Sequence, residues 1–199
     1  STQSRSSAAS DVYKRQCTYI YIRAGGRLTP LPFFMLEGSM IRVTDLLKWA
    51  GLAPEFPDVP AVRVAANRGT VVHQLSMKIE DLHKKNPSFT GEGNLEIRNF
   101  VCTTDPAIRP YLLGVWSFLS EINPVWKMRE QQLRDEEILL RGTPDRYGIV
   151  QAPCTGFNER RVVVDFKTGP SKPWHRYQLA LYSILIERSF PEFKVDERW

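Results

Sequence analysis

The sequence predicts an α/β domain, a mixed sheet covered by helices. Three observations predict it. Val162, Val163 and Val164 form an unbroken β-branched run, the mark of a strand buried on both faces. Helix-period apolar residues precede it, at Val72, Leu75, Ile79 and Leu82 and again at Leu112, Val115, Trp116 and Leu119. Another such face, Leu181, Ile184 and Leu185, follows it. At 199 residues the chain suits one domain with a sizeable core.

In order along the chain, residues 1–16 are Ser/Ala-rich and predict a disordered or non-native leader; the string Ser6 to Gln16 resembles translated sequencing adapter of the kind seen in metagenomic genes. Fold reasoning therefore starts at residue 17 and takes 17–199 as a single domain. Cys17 to Arg23 fits a strand, followed by Gly25-Gly26 and an apolar piece through Phe33-Phe34-Met35. Val43 to Gly51 predicts a short helix with Thr44 as N-cap and Gly51 as its stop. Pro54, Pro57 and Pro60 predict a loop.

A helix is expected from Ala61 to about Lys85, with Gly69 and Thr70 near its start and His73 in its first turns. Asn86 to Asn94 predicts a polar loop, and Pro106 to Glu121 a second helix ended by Asn123-Pro124. Val125 to Leu133 and Glu137 to Arg141 read as strands around a charged turn at residues 134–136. Tyr147 to Val150 continues the sheet, 152–159 is a loop, and the valine strand follows. Ser171-Lys172-Pro173 opens a last helix to about Arg188, placing Trp174, Gln178 and Tyr182 on one face. Phe193 to Trp199 reads as a strand in which the chain stops, as expected of a truncated gene.

Composition excludes some classes. Net charge is +5, and without the three basic residues and one acid of the leader it is +3, a weak basic signal. No run is apolar enough for a membrane span, and no signal peptide is legible. Cys17, Cys102 and Cys154 are too few and too scattered for a disulfide framework or an iron–sulfur cluster, and they suit a reducing compartment. There is no G-x-x-x-x-G-K-[ST] phosphate loop and no G-x-S-x-G nucleophile elbow.

The chemistry concentrates at the end of the valine strand. Asp165 and Lys167 share a face there, while Phe166 points into the core. Asp145, after Pro144, belongs to the neighbouring strand. Alone, Asp145 fits a turn and Asp165 with Lys167 a strand-end ion pair. Together, two converging carboxylates want a cation, and oxygen ligands select Mg²⁺ or Mn²⁺ over zinc. Asp145, Asp165 and the Phe166 carbonyl would hold it, and Lys167 would orient a water and neutralise charge on a phosphoryl group.

Pro144-Asp145, then Asp165-Phe166-Lys167, then Gln178 to Tyr182, resembles the PD-(D/E)XK nuclease superfamily. The Gln-x-x-x-Tyr element and Gly69 to His73 upstream resemble its RecB-like and phage exonuclease-like branch. The resemblance implies a restriction-endonuclease-like, three-layer α/β/α core with a mixed central sheet. It implies that Asp145 and Asp165 bind the metal, that Lys167 serves the attacking water and that His73 is a further ligand. It implies that Gln178 and Tyr182 support the site and approach nucleic acid. Glu130 matches a recurrent glutamate of the branch, and it equally fits a solvated strand residue. Lys172 and Arg176, with Arg160 and Arg161, fit either phosphate contacts or a solvated face. Trp174 fits either base stacking or helix-start packing.

The expected function is a Mg²⁺- or Mn²⁺-dependent DNA nuclease acting on single- or double-stranded DNA, more an exonuclease of phage or recombination type than an endonuclease or RNA nuclease. A non-catalytic DNA-binding scaffold on the same fold is the reading from another class. The expected setting is the cytoplasm of a bacterium or phage-infected cell, with a homo-oligomer or recombination partner. His83 and His175 are expected at the surface or in loops, and Trp116 and Trp126 in the core.

Overall fold

In the computed structural model, Val162 and Val163 are fully buried and Val164 nearly so, as their run predicts. Each such side chain taken from water stabilises the fold by about 1.5–3 kcal/mol. The structure describes residues 21–24, 27–30, 40–85, 92–151 and 159–199. The expected leader, the Phe33-Phe34-Met35 piece, most of the 86–94 loop and nearly all of the 152–159 loop lie outside the described residues.

The chain begins with β1 (Tyr21–Ala24) and β2 (Arg27–Pro30), paired antiparallel. Then come β3 (Ile41–Arg42), α1 (Val43–Trp49), α2 (Pro60–Lys85), α3 (Glu92–Thr103) and α4 (Arg109–Ile122). Next are β4 (Val125–Arg129), β5 (Leu133–Asp135), β6 (Leu140–Gly142), β7 (Arg146–Gln151) and β8 (Glu159–Val164). The chain closes with α5 (His175–Ser189) and β9 (Glu197–Arg198). Two sheets carry mixed pairings. One runs β4-β7-β8-β9, antiparallel except for the parallel β8–β9 pair, and the other β3-β6-β5, with β3 parallel to β6.

Alternation along β7 and β8 sends side chains to two separate cores. Tyr147 and Val163 join α1, α5 and the second sheet through Val43, Leu46, Leu47, Leu179, Leu185 and Ile186. Val150, Val162 and Val164 face the other way, against Phe118, Trp126 and Phe166. Beyond those aromatics, α2, α3 and α4 share Val72, Ile79, Ile97, Val101, Leu112 and Leu119. The molecule is therefore a mixed α/β structure with helices packed against both faces of a sheet.

Several elements differ from expectation for local reasons. α1 starts at Val43 with Arg42 in the cap position and no side-chain cap, so Thr44 is not the N-cap. Its end is as predicted: Gly51 has φ +68°, and Leu52 N–H donates to the Leu47 carbonyl at 2.9 Å, closing the helix with a left-handed residue. α2 starts at Pro60, where a proline lacks nothing in the first turn. It runs through Gly69, which puts His73 in the middle of a helix about 39 Å long and not near its start.

α3 was not expected at all. α4 begins at Arg109, three residues later than predicted. Glu130, at φ +46°, ends β4, and the turn falls at 136–139, where the Asp135 carboxylate accepts the Glu137 and Ile138 N–H groups. α5 starts at His175, beyond Pro173, and Ile184 on its expected apolar face is 45% exposed while Leu179, Leu185 and Ile186 are buried. His83, in the last turn of α2, is buried and not at the surface. Among the described residues no helix is long and apolar enough to cross a membrane.

β4 and β7 approach so closely at Gly148 that a Cβ there would lie 2.6 Å from the Val125 carbonyl oxygen and 2.9 Å from the Trp126 Cα. Backbone cannot give way as a side-chain tip can. Gly148→Ala is expected to destabilise by about 3 kcal/mol. Gly114, mid-way along α4, meets nothing within 4 Å, and Gly114→Ala should stabilise by about 1 kcal/mol. Urea unfolding of the two variants checks both signs.

Candidate metal centre

Three chain segments deliver acids and an imidazole to one spot. α2 presents His73 from its buried edge. The left-handed residue after β4 turns the Glu130 carboxylate back towards α2, while its N–H donates to the Asp145 carbonyl at 2.9 Å. Asp145, just before β7, is buried and accepts the Phe166 N–H on Oδ2 at 2.6 Å. His73, Glu130 and Asp145 can each offer one ligand atom, all within 4.8 Å of one another.

Both His73 nitrogens face acceptors. Nδ1 lies 3.1 Å from Glu130 Oε1 and 3.3 Å from Asp145 Oδ1, and Nε2 lies 3.1 Å from the Phe166 carbonyl. Neither tautomer of neutral imidazole donates at both ends, so these contacts favour the imidazolium. Its pKa is raised to about 10, by the hydrogen bond to Asp145 first and to Glu130 next. Burial is the largest single influence on Glu130 and pushes its pKa up, but His73 and Arg146 together outweigh it and hold the carboxyl below its ordinary range.

Asp165 lies just beyond β8, its N–H bonded to the Trp199 carbonyl at 3.1 Å. Its side chain is buried and paired with the Lys167 ammonium. Burial first, then the charge of Asp145, pushes its pKa up to about 6. Lys167 and Asp165 meet as the strand alternation predicts, although regular strand geometry ends at Val164. The close three-ligand cluster contains Glu130 rather than Asp165. The two aspartates repel, and each has its own cation: Asp145 the His73 imidazolium, Asp165 the Lys167 ammonium.

Gln178 and Tyr182 sit beneath this site on α5, only 4% and 5% exposed. Gln178 Nε2 donates to the Tyr182 hydroxyl at 3.0 Å, and Gln178 Oε1 is buried without a partner among the described residues. Burial, chiefly, and the charges of Asp165, Asp145 and Glu130 raise the Tyr182 pKa. Tyr182 packs tightly on β6: a Cβ on Gly142 would lie 2.8 Å from Tyr182 Cε1. Burial leaves neither side chain a surface with which to touch a polymer.

Lys172 and Arg176 line an open cleft of about 640 Å³ with Lys167, His175, Asp165 and Trp199. His175, expected at the surface or in a loop, is half-buried as the first residue of α5; its Nδ1 accepts the Lys172 N–H at 3.2 Å, and burial, Lys167 and Lys172 depress its pKa. Trp174 is half-buried in the α5 cap, its ring 6.0 Å from the Lys167 ammonium. Arg160 and Arg161 point away from the site, towards Glu197 and Asp196.

Sequence reasoning missed Arg146, Glu80 and Ser76. Arg146 is fully buried behind the acids, its Nε donating to Glu80 Oε1 at 2.6 Å. The signal that could have found its partners is a polar stripe on α2: His73, Ser76 and Glu80 share the face of Val72 and Ile79.

The donor set suits a hard divalent cation. Carboxylates and a backbone carbonyl are oxygen donors, and the single imidazole favours Mn²⁺ alongside Mg²⁺. The field that turns His73 into a cation is one that a divalent ion would satisfy. No protein-family model matches the chain, and no curated protein or solved structure matches it either.

Two stability profiles follow for the chelator-treated protein. A pKa raised on folding stabilises a basic group's folded state while the group stays protonated. The His73 contribution is complete below about pH 6.5 and is lost as pH climbs through about 10. The stability gap between wild type and His73→Gln should narrow across that window. For Asp165, the raised pKa means that ionisation between about pH 4 and about pH 6 destabilises the fold. Asp165→Asn should therefore gain stability over wild type across that second window and match it below. Urea titrations over a pH series read both; a gap that does not change with pH sinks the corresponding claim.

Proposed function

We propose that the chain is a divalent-metal-dependent nuclease that hydrolyses phosphodiester bonds in DNA. The observation that carries the reading is His73 held between Asp145 and Glu130 at Nδ1 and the Phe166 carbonyl at Nε2, with Asp145 bonded to the Phe166 N–H and the Asp165–Lys167 pair on either side of Phe166. These are the positions that the resemblance to the PD-(D/E)XK superfamily names. Helices on both faces of a mixed sheet support its restriction-endonuclease-like, three-layer core as the fold.

In this reading His73, Asp145, Asp165 and the Phe166 carbonyl hold Mg²⁺ or Mn²⁺, with Glu130 beside them. When bound, the cation acidifies a water and polarises a phosphoryl oxygen. To hold the cation, His73 would release one ring proton to solvent, and Asp165 would be shared between the cation and Lys167. The Lys167 ammonium orients the attacking water and offsets the charge that grows on the phosphoryl oxygens. Gln178 and Tyr182 fix α5 behind the site. Lys172 and Arg176 take the phosphates that flank the scissile bond, and Trp174 caps α5 beside them. A recombination-type exonuclease is the favoured form, working in the cytoplasm of a bacterium or phage-infected cell.

Labelled linear and circular DNA incubated with Mg²⁺ or Mn²⁺ tests this directly. Linear DNA should be shortened, and a chelator should stop the reaction. Lys167→Met should slow cleavage by about 10²- to 10³-fold while leaving Mn²⁺ binding intact. Asp145→Asn should abolish both. Folded wild-type protein that binds DNA but leaves it uncut would favour a non-catalytic scaffold, and cleavage of RNA alone would move the substrate class.

A further inference from the structure

Arg146 is the one arginine of the described chain with no exposed surface. A buried guanidinium needs a reason, because isolated burial of a charge is costly and one partner seldom offsets it fully. Here the fork reaches four groups on three segments. Nε donates to Glu80 Oε1 at 2.6 Å and Nη2 to Ser76 Oγ at 3.0 Å, both on α2. Nη1 donates to Glu130 Oε1 at 3.1 Å, just beyond β4, and to the Asp145 carbonyl at 2.6 Å, just before β7. Those segments are the ones that carry His73, Glu130 and Asp145. Ser76 Oγ in turn donates to the His73 carbonyl at 2.7 Å, so the ligand's own backbone belongs to the network.

We propose that Arg146 is a positioning residue for the metal centre: it holds Glu130 against His73 and fixes the spacing of α2, β4 and β7 around the cation. The inference rests on the metal-site reading above. Three features set this role apart from simple core filling. The contacted Glu130 oxygen is the same Oε1 that faces His73, so Arg146 and His73 aim one carboxylate between them. Glu130 holds a left-handed backbone that strand residues avoid, and both its N–H and its side chain are tied to the Asp145–Arg146 pair. Glu80 does not face the site; it balances the Arg146 charge from behind, with Arg129 3.4 Å away on its other oxygen.

The test separates stability from positioning. Replacing the buried pair together, Arg146→Met with Glu80→Leu, removes both charges at similar volume and is tolerated by many proteins. Arg146→Lys is the second variant: it keeps the charge and loses the fork. Each is checked for folding by thermal unfolding and then titrated with Mn²⁺ by calorimetry. Expected is a loss of about 10- to 100-fold in Mn²⁺ affinity for whichever variants fold, as when the support of a metal ligand is removed. Adding Glu130→Gln should cost wild type affinity but cost the Arg146 variants almost nothing further, since Arg146 acts through Glu130.

Folded variants with Mn²⁺ affinity within about twofold of wild type overturn the proposal. So does a Glu130→Gln loss that adds in full to that of Arg146. Wild type that binds no Mn²⁺ overturns the metal-site reading and this inference with it, whereas wild-type binding with unaffected variants overturns this inference alone.

Discussion

Charge balance around two buried carboxylates is the constraint on which the rest of the structure depends. Asp145 and Asp165 are taken from water at the end of a sheet whose flanking residues are aliphatic and aromatic. Left unpaired, each would be expensive to bury. The His73 ring answers Asp145 and the Lys167 ammonium answers Asp165, while the Arg146 guanidinium holds Glu130 and the Asp145 backbone carbonyl beside them. Each comes from a different segment. The long α2, the strand after Asp145 and the exit of β8 must therefore meet at one point, and the cores on the two faces of the sheet hold them there.

Much of that centre was legible in the sequence because its signals are local. A valine run that ends in charge announces itself within six residues, and Asp165 with Lys167 follows from strand alternation. His73 was found by its context, although its place mid-helix was not, since Gly69 and Pro60 looked like boundaries and are not. Arg146 was invisible for the opposite reason. Its burial is decided by Ser76 and Glu80, which lie 70 and 66 residues away in sequence. A charged residue beginning a strand reads as solvated until the helix that covers it is in place. The same blindness hid α3, whose buried residues Ile97 and Val101 are too few to establish a period.

The Gln178–Tyr182 pair shows how residues that share a helix face can turn out to face inward. Their four-residue spacing put them on one face, and the resemblance to the nuclease branch implied that this face approaches substrate. α5 instead turns that face inward with Leu179, Leu185 and Ile186 against the second sheet, and Tyr182 packs closely on Gly142. Sequence spacing identifies which residues share a side, but not which side is wet.

The left-handed turn at Glu130 divides the site into unlike halves. On one side, α2, β4 and β7 are laced together by the guanidinium fork, and His73 is more than three turns from either end of its helix, beyond the reach of fraying. On the other, Asp165 to Lys167 has left the regular ladder, and 169–173 is exposed and irregular up to the first turn of α5. Local opening costs least where few apolar contacts and ladder bonds are lost. The centre thus has an anvil and a hinge: His73, Glu130 and Asp145 are set in rigid framework and face Asp165 and Lys167 on the compliant edge.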